Sequence, residues 1–452
     1  MRLPRLFDSL HDAPAKDLHL AAGTTLTFLV RAVIYGLAAV TGIVVARALG
    51  AHDRGVYVLV TTIAFMFPAL AELGVSKAGI YLVGQKKCSV QQLVSNDLAL
   101  LLPVSAIWIS GAIALGLVRP AFIPDDFRFA YFLIFALSGA LLLLIGLAKD
   151  VLIASGSILG YNAIEFAEPL FRSVIIIAAV LLFGLGVTGV LSVWLLAVVL
   201  AGFLALYLMA KRGQLKPLLR LGLLKAQLAF GLRGHLGFIL QTANYRLDVF
   251  LVAAFAGSTA LGHYAVAFGI AELLWQVPLT LGAVLFPKLS ALDHEANTET
   301  AAATCRRVLF LTLLGTLAAL ASGRFLIGVL YGGEFLPAVN AFYILAPSGL
   351  FFTIHKVLGS SLAGRGMPEV SLYAGAASLP VTIGLDLLLI PRMGIEGAAV
   401  ASIAAYAVNA GVVLALFLRV TRRSVVDTLL IKRTDILSSV QMAQRLLART
   451  TS

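Results

Sequence analysis

Arg246 and Asp248 stand two residues apart in QTANYRLDVFLVAAFAG, residues 241–257, a run otherwise apolar enough to cross a membrane. Ionised side chains in hydrocarbon are costly unless a partner or a water-filled cavity offsets the cost, so they mark substrate or ion pathways. Their chemistry is binding rather than bond-making. A guanidinium fork holds phosphate or carboxylate oxygens, and a carboxylate holds a guanidinium or a proton. The other ionisable residues within apolar runs are Arg31, Glu72, Asp97, Glu165, Glu168, Arg172, Glu272, Arg324, His355, Lys356 and Asp386. Asp97, Glu165, Lys356 and Asp386 fall near the ends of their runs, where the interface hydrates them, and Arg324 lies close enough to an end to snorkel. Glu168 and Arg172 are four residues apart and can neutralise each other on one helix face. Arg172, Glu168, His355 and Lys356 are secondary candidates.

Arg31, Glu72, Arg246 and Glu272 are harder to dismiss. Arg246 precedes the turn at Gly257 by 11 residues and Glu272 follows Gly262 by 10. At 1.5 Å per helical residue, both sit about 15–17 Å from the same membrane face, near the midplane. Arg31 and Glu72 also share a depth, 19 residues before Gly50 and 17 after Gly55. Two cross-helix pairs are therefore expected, Arg246 with Glu272 and Arg31 with Glu72; a purely structural ion pair is the alternative. Arg246 and Asp248 are not partners, because residues two apart on a helix point in different directions. Asp248 shares a polar face with Asn244 and, less closely, Tyr245.

The elements that must position these residues follow from composition. Of 452 residues, 60% are hydrophobic and 12% charged, far from the balance of a soluble domain. Twelve apolar runs are long enough to span a bilayer, near 20–48, 56–76, 92–118, 129–152, 162–184, 188–210, 230–256, 260–286, 307–330, 338–363, 370–390 and 395–419. The expected fold is an all-α integral membrane protein of about twelve transmembrane helices in two six-helix lobes. Its parts are an N-terminal segment 1–19, a first lobe 20–210, a basic connecting segment 211–229, a second lobe 230–419 and a basic tail 420–452. The net charge of +12 collects in alternate loops and the tail, which places both termini on the cytoplasmic side. That distribution argues against nucleic acid as a partner. The connecting segment reads equally as a surface helix on the inner leaflet and as an ordinary positive-inside loop. The tail, with Leu430, Leu437, Val440 and Leu447 on one face, reads as a lipid-surface helix or a partly disordered end.

The two lobes are related by sequence. VARALGAHDRGVYVLVTTIA (45–64) aligns with VAAFAGSTALGHYAVAFGIA (252–271) at a shift of 207, matching Gly50 with Gly257, Gly55 with Gly262 and Tyr57 with Tyr264. GLGVTG (184–189) aligns with RMGIEG (392–397), and DDF (125–127) with GEF (333–335), at a shift of 208. An even number of spans separates equivalent helices, so the repeat is parallel and a substrate site is expected between the halves. No phosphate-binding loop, zinc motif or nucleophile elbow is present. The pattern calls for no catalytic residue, metal or cofactor, and any pumping would draw on a proton or sodium gradient or on the membrane potential. Cys88 and Cys305 both read as reduced thiols in short polar connections.

NYRLDVFLVAAFAGSTALGHYAVAFGIAELLWQVPLTLGAVLFPKLS (244–290), with ARALGAHDRGVYVLV (46–60), resembles the bacterial polysaccharide biosynthesis or oligosaccharide flippase family, Wzx-type, of the MATE/MOP superfamily. The resemblance implies a flippase for a polyprenyl-pyrophosphate-linked oligosaccharide, serving O-antigen, capsule or exopolysaccharide assembly in a bacterial cytoplasmic membrane. Partners would be the bilayer, the lipid-linked glycan, and a polysaccharide polymerase or glycosyltransferases. Arg31, Arg246, Tyr245 and Asn244 would bind substrate, with Glu72, Asp248 and Glu272 as charge partners or coupling groups. Lipid II flippases of the superfamily usually have fourteen spans, so twelve argue against that substrate. A MATE-type drug exporter is the alternative, weakened by Arg31 in the first span; a membrane scaffold without transport is a weaker one.

Overall fold

The computed structural model describes residues 15–119, 127–212, 215, 218–432 and 435. Regular structure among them is helical: α1 (Ala15–Ala71), α2 (Val75–Gly84), α3 (Val90–Val118), α4 (Phe129–Ala154), α5 (Ile158–Phe183), α6 (Val187–Lys211), α7 (Leu221–Leu273), α8 (Gln276–Ser290), α9 (His294–Leu330), α10 (Ala338–Leu345), α11 (Ser348–Gly364), α12 (Val370–Met393), α13 (Ile395–Thr421) and α14 (Val425–Leu429). Helices answer the composition directly. In hydrocarbon the backbone must satisfy its own N–H and C=O groups within each segment.

Ten helical stretches among the described residues are long and apolar enough to cross a membrane. Two of them, Val33–Ala71 and His235–Leu273, run 39 residues each. A straight helix of that length would measure about 58 Å, nearly twice a bilayer core. Each is broken by one glycine in a conformation closed to most side chains: Gly50 (φ 72°, ψ 178°) and Gly257 (φ 83°, ψ 174°). A count of twelve treats each arm of these two elbows as a span. The breaks fall 207 residues apart, at the repeat-equivalent glycines. The sixth helix of each half also follows a repeat-equivalent glycine, α6 after Gly186 and α13 after Gly394.

Local breaks refine the expected runs. The second span continues past Ala71 into α2 through Leu73 and Gly74, both at positive φ. The eighth run breaks between Leu273 and Gln276, and the tenth is two helices, α10 and α11, parted at Pro347. Helix α9 begins at His294, so Cys305 is not in a connection. It lies inside α9, buried in an apolar cluster with Leu285, Leu289, Leu358 and Phe417. Leu221–Leu232 is helical, as one reading of the connecting segment expected. One face is not on lipid: Gln227 is fully buried and meets Asn96 (3.0 Å) and Asp97 (3.4 Å) at the start of α3. The surface helix expected over the tail lies largely outside the described residues, as does the 125–126 part of the DDF match.

The chain divides into two compact units. One holds His19–Ala265 with Leu330–Glu334; the other holds Val266–Val329 and the chain from Phe335 onward. The division falls after Ala265 rather than in the 211–229 segment, because both arms of α7 up to that residue pack in the first unit. In the first unit Trp108 stacks on Phe67 (4.4 Å between ring centres) and donates to Ala136 O (3.1 Å). In the second, Trp275 stacks on Phe352 (4.0 Å) and donates to Ser348 Oγ (2.7 Å). Each indole thus keeps its polar N–H satisfied.

Candidate functional site

The polar stretch that opens the second half of the sequence lies on the first arm of α7. Asn244 and Asp248 are buried there, and Tyr245 and Arg246 are half-buried. Tyr264, beyond the elbow, donates to Asp248 Oδ2 at 2.5 Å, and the Val249 N–H donates to Oδ1 at 2.8 Å. A hydroxyl on an adjacent arm therefore holds the carboxylate of Asp248. Arg246 belongs to the first structural unit and Glu272 to the second.

Arg31 and Glu72 are not a pair. Arg31 is exposed and hydrogen-bonds Tyr161 of α5, with Glu165 and Tyr35 in electrostatic range. Glu165 also takes a 2.8 Å ion pair from Lys149 of α4. Lys149 thus pairs with the carboxylate of Glu165, and Arg31 lies in electrostatic range of it. Glu72 instead faces other acids, lying within electrostatic range of both Asp97 and Asp150. Glu72 Oε1 and Asp97 Oδ2 are buried with no hydrogen-bond partner among the described residues. Equal depth did not imply contact, because depth leaves the direction around the helix axis open. Lys149 escaped the sequence reading because it counts equally well as an inside-loop charge.

The secondary candidates are local. Arg172 pairs with Glu168 at 3.5 Å, the i,i+4 bridge the spacing allows, and its guanidinium lies 5.9 Å from the centre of the Phe65 ring. His355 is buried in α11, and Lys356 packs its stem against Gly282 of α8.

The tightest backbone approach in the first unit is between the two elbows. A Cβ on Gly55 would stand 1.8 Å from Ser258 O, and a Cβ on Gly262 would stand 1.8 Å from Ala51 O. These contacts are reciprocal: 51 and 258, and 55 and 262, are repeat-equivalent positions. His52 Nδ1 lies 3.4 Å from Thr259 Oγ1, its own equivalent 207 residues on, so the local two-fold axis passes between them. Such an isologous contact makes each surface its own complement. A strap, Leu330–Glu334, ties both elbows. Glu334 Oε1 accepts the Ala51 N–H at 2.7 Å, at the start of the second arm of α1, and Glu334 O lies 3.0 Å from His263 Nε2. Arg47 Nε donates to Leu330 O at 2.8 Å, and Arg54 lies over the Tyr331 ring. A carboxylate at a helix N-terminus is favourably placed. The sequence marked Glu334 only as part of a repeat. At the other end of the same arms, a Cβ on Gly74 would stand 2.5 Å from Gly231 O, and Tyr81 stacks on Phe230 (4.9 Å).

Residues 20–293 match the family described as Polysaccharide biosynthesis protein. Among curated proteins, the chain is 28% identical over 192 residues to an uncharacterised membrane protein of Methanocaldococcus jannaschii, covering 41% of this chain and 37% of that protein. It is 24% identical over 167 residues to the probable low-salt glycan biosynthesis flippase Agl15 of Haloferax volcanii, covering 36% and 35%. The matches thus span about a third of each relative. Among solved structures, the lipid II flippase MurJ in an inward closed conformation superposes with a TM-score of 0.74 at 14% identity, covering 88% of this chain and 90% of that one. An inward-facing multidrug resistance MATE transporter of the MOP superfamily gives 0.69 at 16% identity, covering 86% and 94%. At such identities the likeness is one of fold. The match over most of the chain makes this protein a member of the polysaccharide biosynthesis protein family.

Proposed function

We propose that the protein is a flippase moving a polyprenyl-pyrophosphate-linked oligosaccharide across a bacterial cytoplasmic membrane, with both termini on the cytoplasmic side. The observation that carries this is the set of cations held within apolar spans: Lys149 on Glu165 with Arg31 in electrostatic range of the same carboxylate, and Arg246 on α7. Pyrophosphate is an anion that must cross hydrocarbon, and guanidinium and ammonium groups at depth offset its desolvation. Glu165 pairs with Lys149, and Arg31 stands in electrostatic range of that one negative charge, so incoming phosphate oxygens have an excess positive charge to take. Arg246 would play the same part from α7. Closure of the elbows and separation of the Gly74–Gly231 contact would then alternate, exposing the head-group site to one side at a time. Family membership and the similarity to a glycan biosynthesis flippase of Haloferax volcanii support this reading.

The test is reconstitution in proteoliposomes with a fluorescent polyprenyl-pyrophosphate sugar, comparing wild type with Arg31→Ala and Arg246→Ala. Loss of flipping in both variants is expected; normal flipping by both would sink the cationic mechanism. A second reading, ion-coupled export of a small cation, is favoured by the facing acids Glu72, Asp97 and Asp150. It predicts cation efflux driven by a proton or sodium gradient, abolished by Asp97→Asn, with no flipping of the lipid.

A further inference from the structure

A cavity of about 730 Å³ opens in the first unit among the second arm of α1 (Leu59, Ile63), α3 (Ile107–Leu115), α4 (Phe132, Phe135) and the first arm of α7 (Phe250–Phe255). Its lining is apolar throughout: the one polar atom among the lining side chains, Trp108 Nε1, is spent on Ala136 O. Ile107 and Phe255 at its mouth are 73% and 50% exposed. The cavity lining on α7 begins about one helical turn beyond Arg246. Phe250 and Ala253 follow Arg246 by four and seven residues on one helix face, so the lining begins about 6 Å further along the axis. A guanidinium followed by an apolar cavity is the pattern an amphiphile would occupy, its anionic head at the cation and its hydrocarbon beside it. Nothing in the cavity could satisfy a sugar hydroxyl, and an unsatisfied polar group there would be costly.

We infer that this cavity seats the isoprenoid chain of the lipid carrier while Arg246 holds its pyrophosphate. The inference rests on the flippase reading above. It gives the lining of α3 a role in selecting the carrier lipid rather than the glycan. Gly111 of α3 lines the cavity, and no atom lies within 4 Å of the point where a Cβ would stand, so a large side chain there enters open space. Ala254 of α7 is an exposed lining residue and offers a second site.

The experiment compares flipping of two carriers with the same pyrophosphate-linked sugar, one on a long polyprenyl chain and one on a short geranyl chain. Gly111→Trp and Ala254→Trp are each expected to lower long-chain flipping by about tenfold while leaving short-chain flipping near wild type, as filling a ligand-sized cavity should. Arg246→Ala should lower both carriers alike. Wild-type flipping of the long chain by both tryptophan variants would overturn the inference, as would an equal loss on both carriers at normal membrane abundance. Unchanged flipping in Arg246→Ala would instead strike at the head-group reading, and the chain-length split would still report on the cavity.

Discussion

Alanine at Gly55 is the smallest perturbation with the largest expected consequence. Its Cβ would stand 1.8 Å from Ser258 O, where a carbon and an oxygen in ordinary contact need about 3.4 Å. The neighbour is backbone, which cannot rotate away, so the two elbows must part by roughly 1.6 Å. Overpacking of this kind costs about 1–3 kcal/mol. Applied to the elbow-closed state alone, that shifts the closed-to-open ratio by about 5- to 150-fold. Gly262→Ala makes the symmetric clash against Ala51 O, also at 1.8 Å. Because either substitution separates the same surfaces, the double variant should cost little more than one single, a coupling that independent sites do not show. The assay is a cysteine pair, His52→Cys with Thr259→Cys, across side chains 3.4 Å apart, in a background of Cys88→Ser and Cys305→Ala. Cross-linking should be efficient in the parent and fall in Gly55→Ala and Gly262→Ala, while Gly36→Ala, with open space at its Cβ, should behave as the parent. Undiminished cross-linking in both elbow variants, or strictly additive losses in the double, would refute the reasoning.

Further outcomes follow from other contacts. Glu334→Ala removes the acceptor at Ala51 N–H and should weaken elbow closure by about 0.5–2 kcal/mol, read as lower yield from the same cysteine pair. Gly231→Ala would place a Cβ 2.5 Å from the Gly74 backbone and should free the opposite end, raising labelling of a cysteine at Gly84 by a membrane-impermeant thiol reagent. Glu165→Gln leaves Lys149 without its anion and removes the negative charge near Arg31, so it should tighten binding of the pyrophosphate carrier while lowering thermal stability, measured by titration and by melting. At the other end of the chain, Arg306 of α9 grips Asp435 through two hydrogen bonds of 2.6 and 3.1 Å, which holds that carboxyl below the usual carboxylate range. The contribution of this ion pair to stability is therefore fully present at neutral pH and is lost as pH falls below that range. Asp435→Asn should remove that contribution at neutral pH, costing about 1.5–3 kcal/mol per charged hydrogen bond lost, read as a lower melting temperature.

The sequence by itself determined the environment, the helical class and the repeat. Run length and composition leave the backbone of a membrane span little choice but helix, and Gly50 and Gly257 announced the two breaks because a positive φ there excludes most side chains. It also marked out the set of charges held within apolar spans. Tertiary structure decided which charge meets which. Arg31 went to Tyr161 and Glu165 rather than to Glu72, and Lys149 joined them from a helix end that looked like a loop anchor. Spacing along one helix gives depth, but direction around the axis depends on how neighbouring helices cross. The same reason hid the elbow contact: glycines at 55 and 262 were visible as equivalents, yet their meeting face to face needed two arms folded against each other. The apolar cavity beside Arg246 was invisible for a further reason, since its lining residues look like any others that face lipid until four helices leave a space between them.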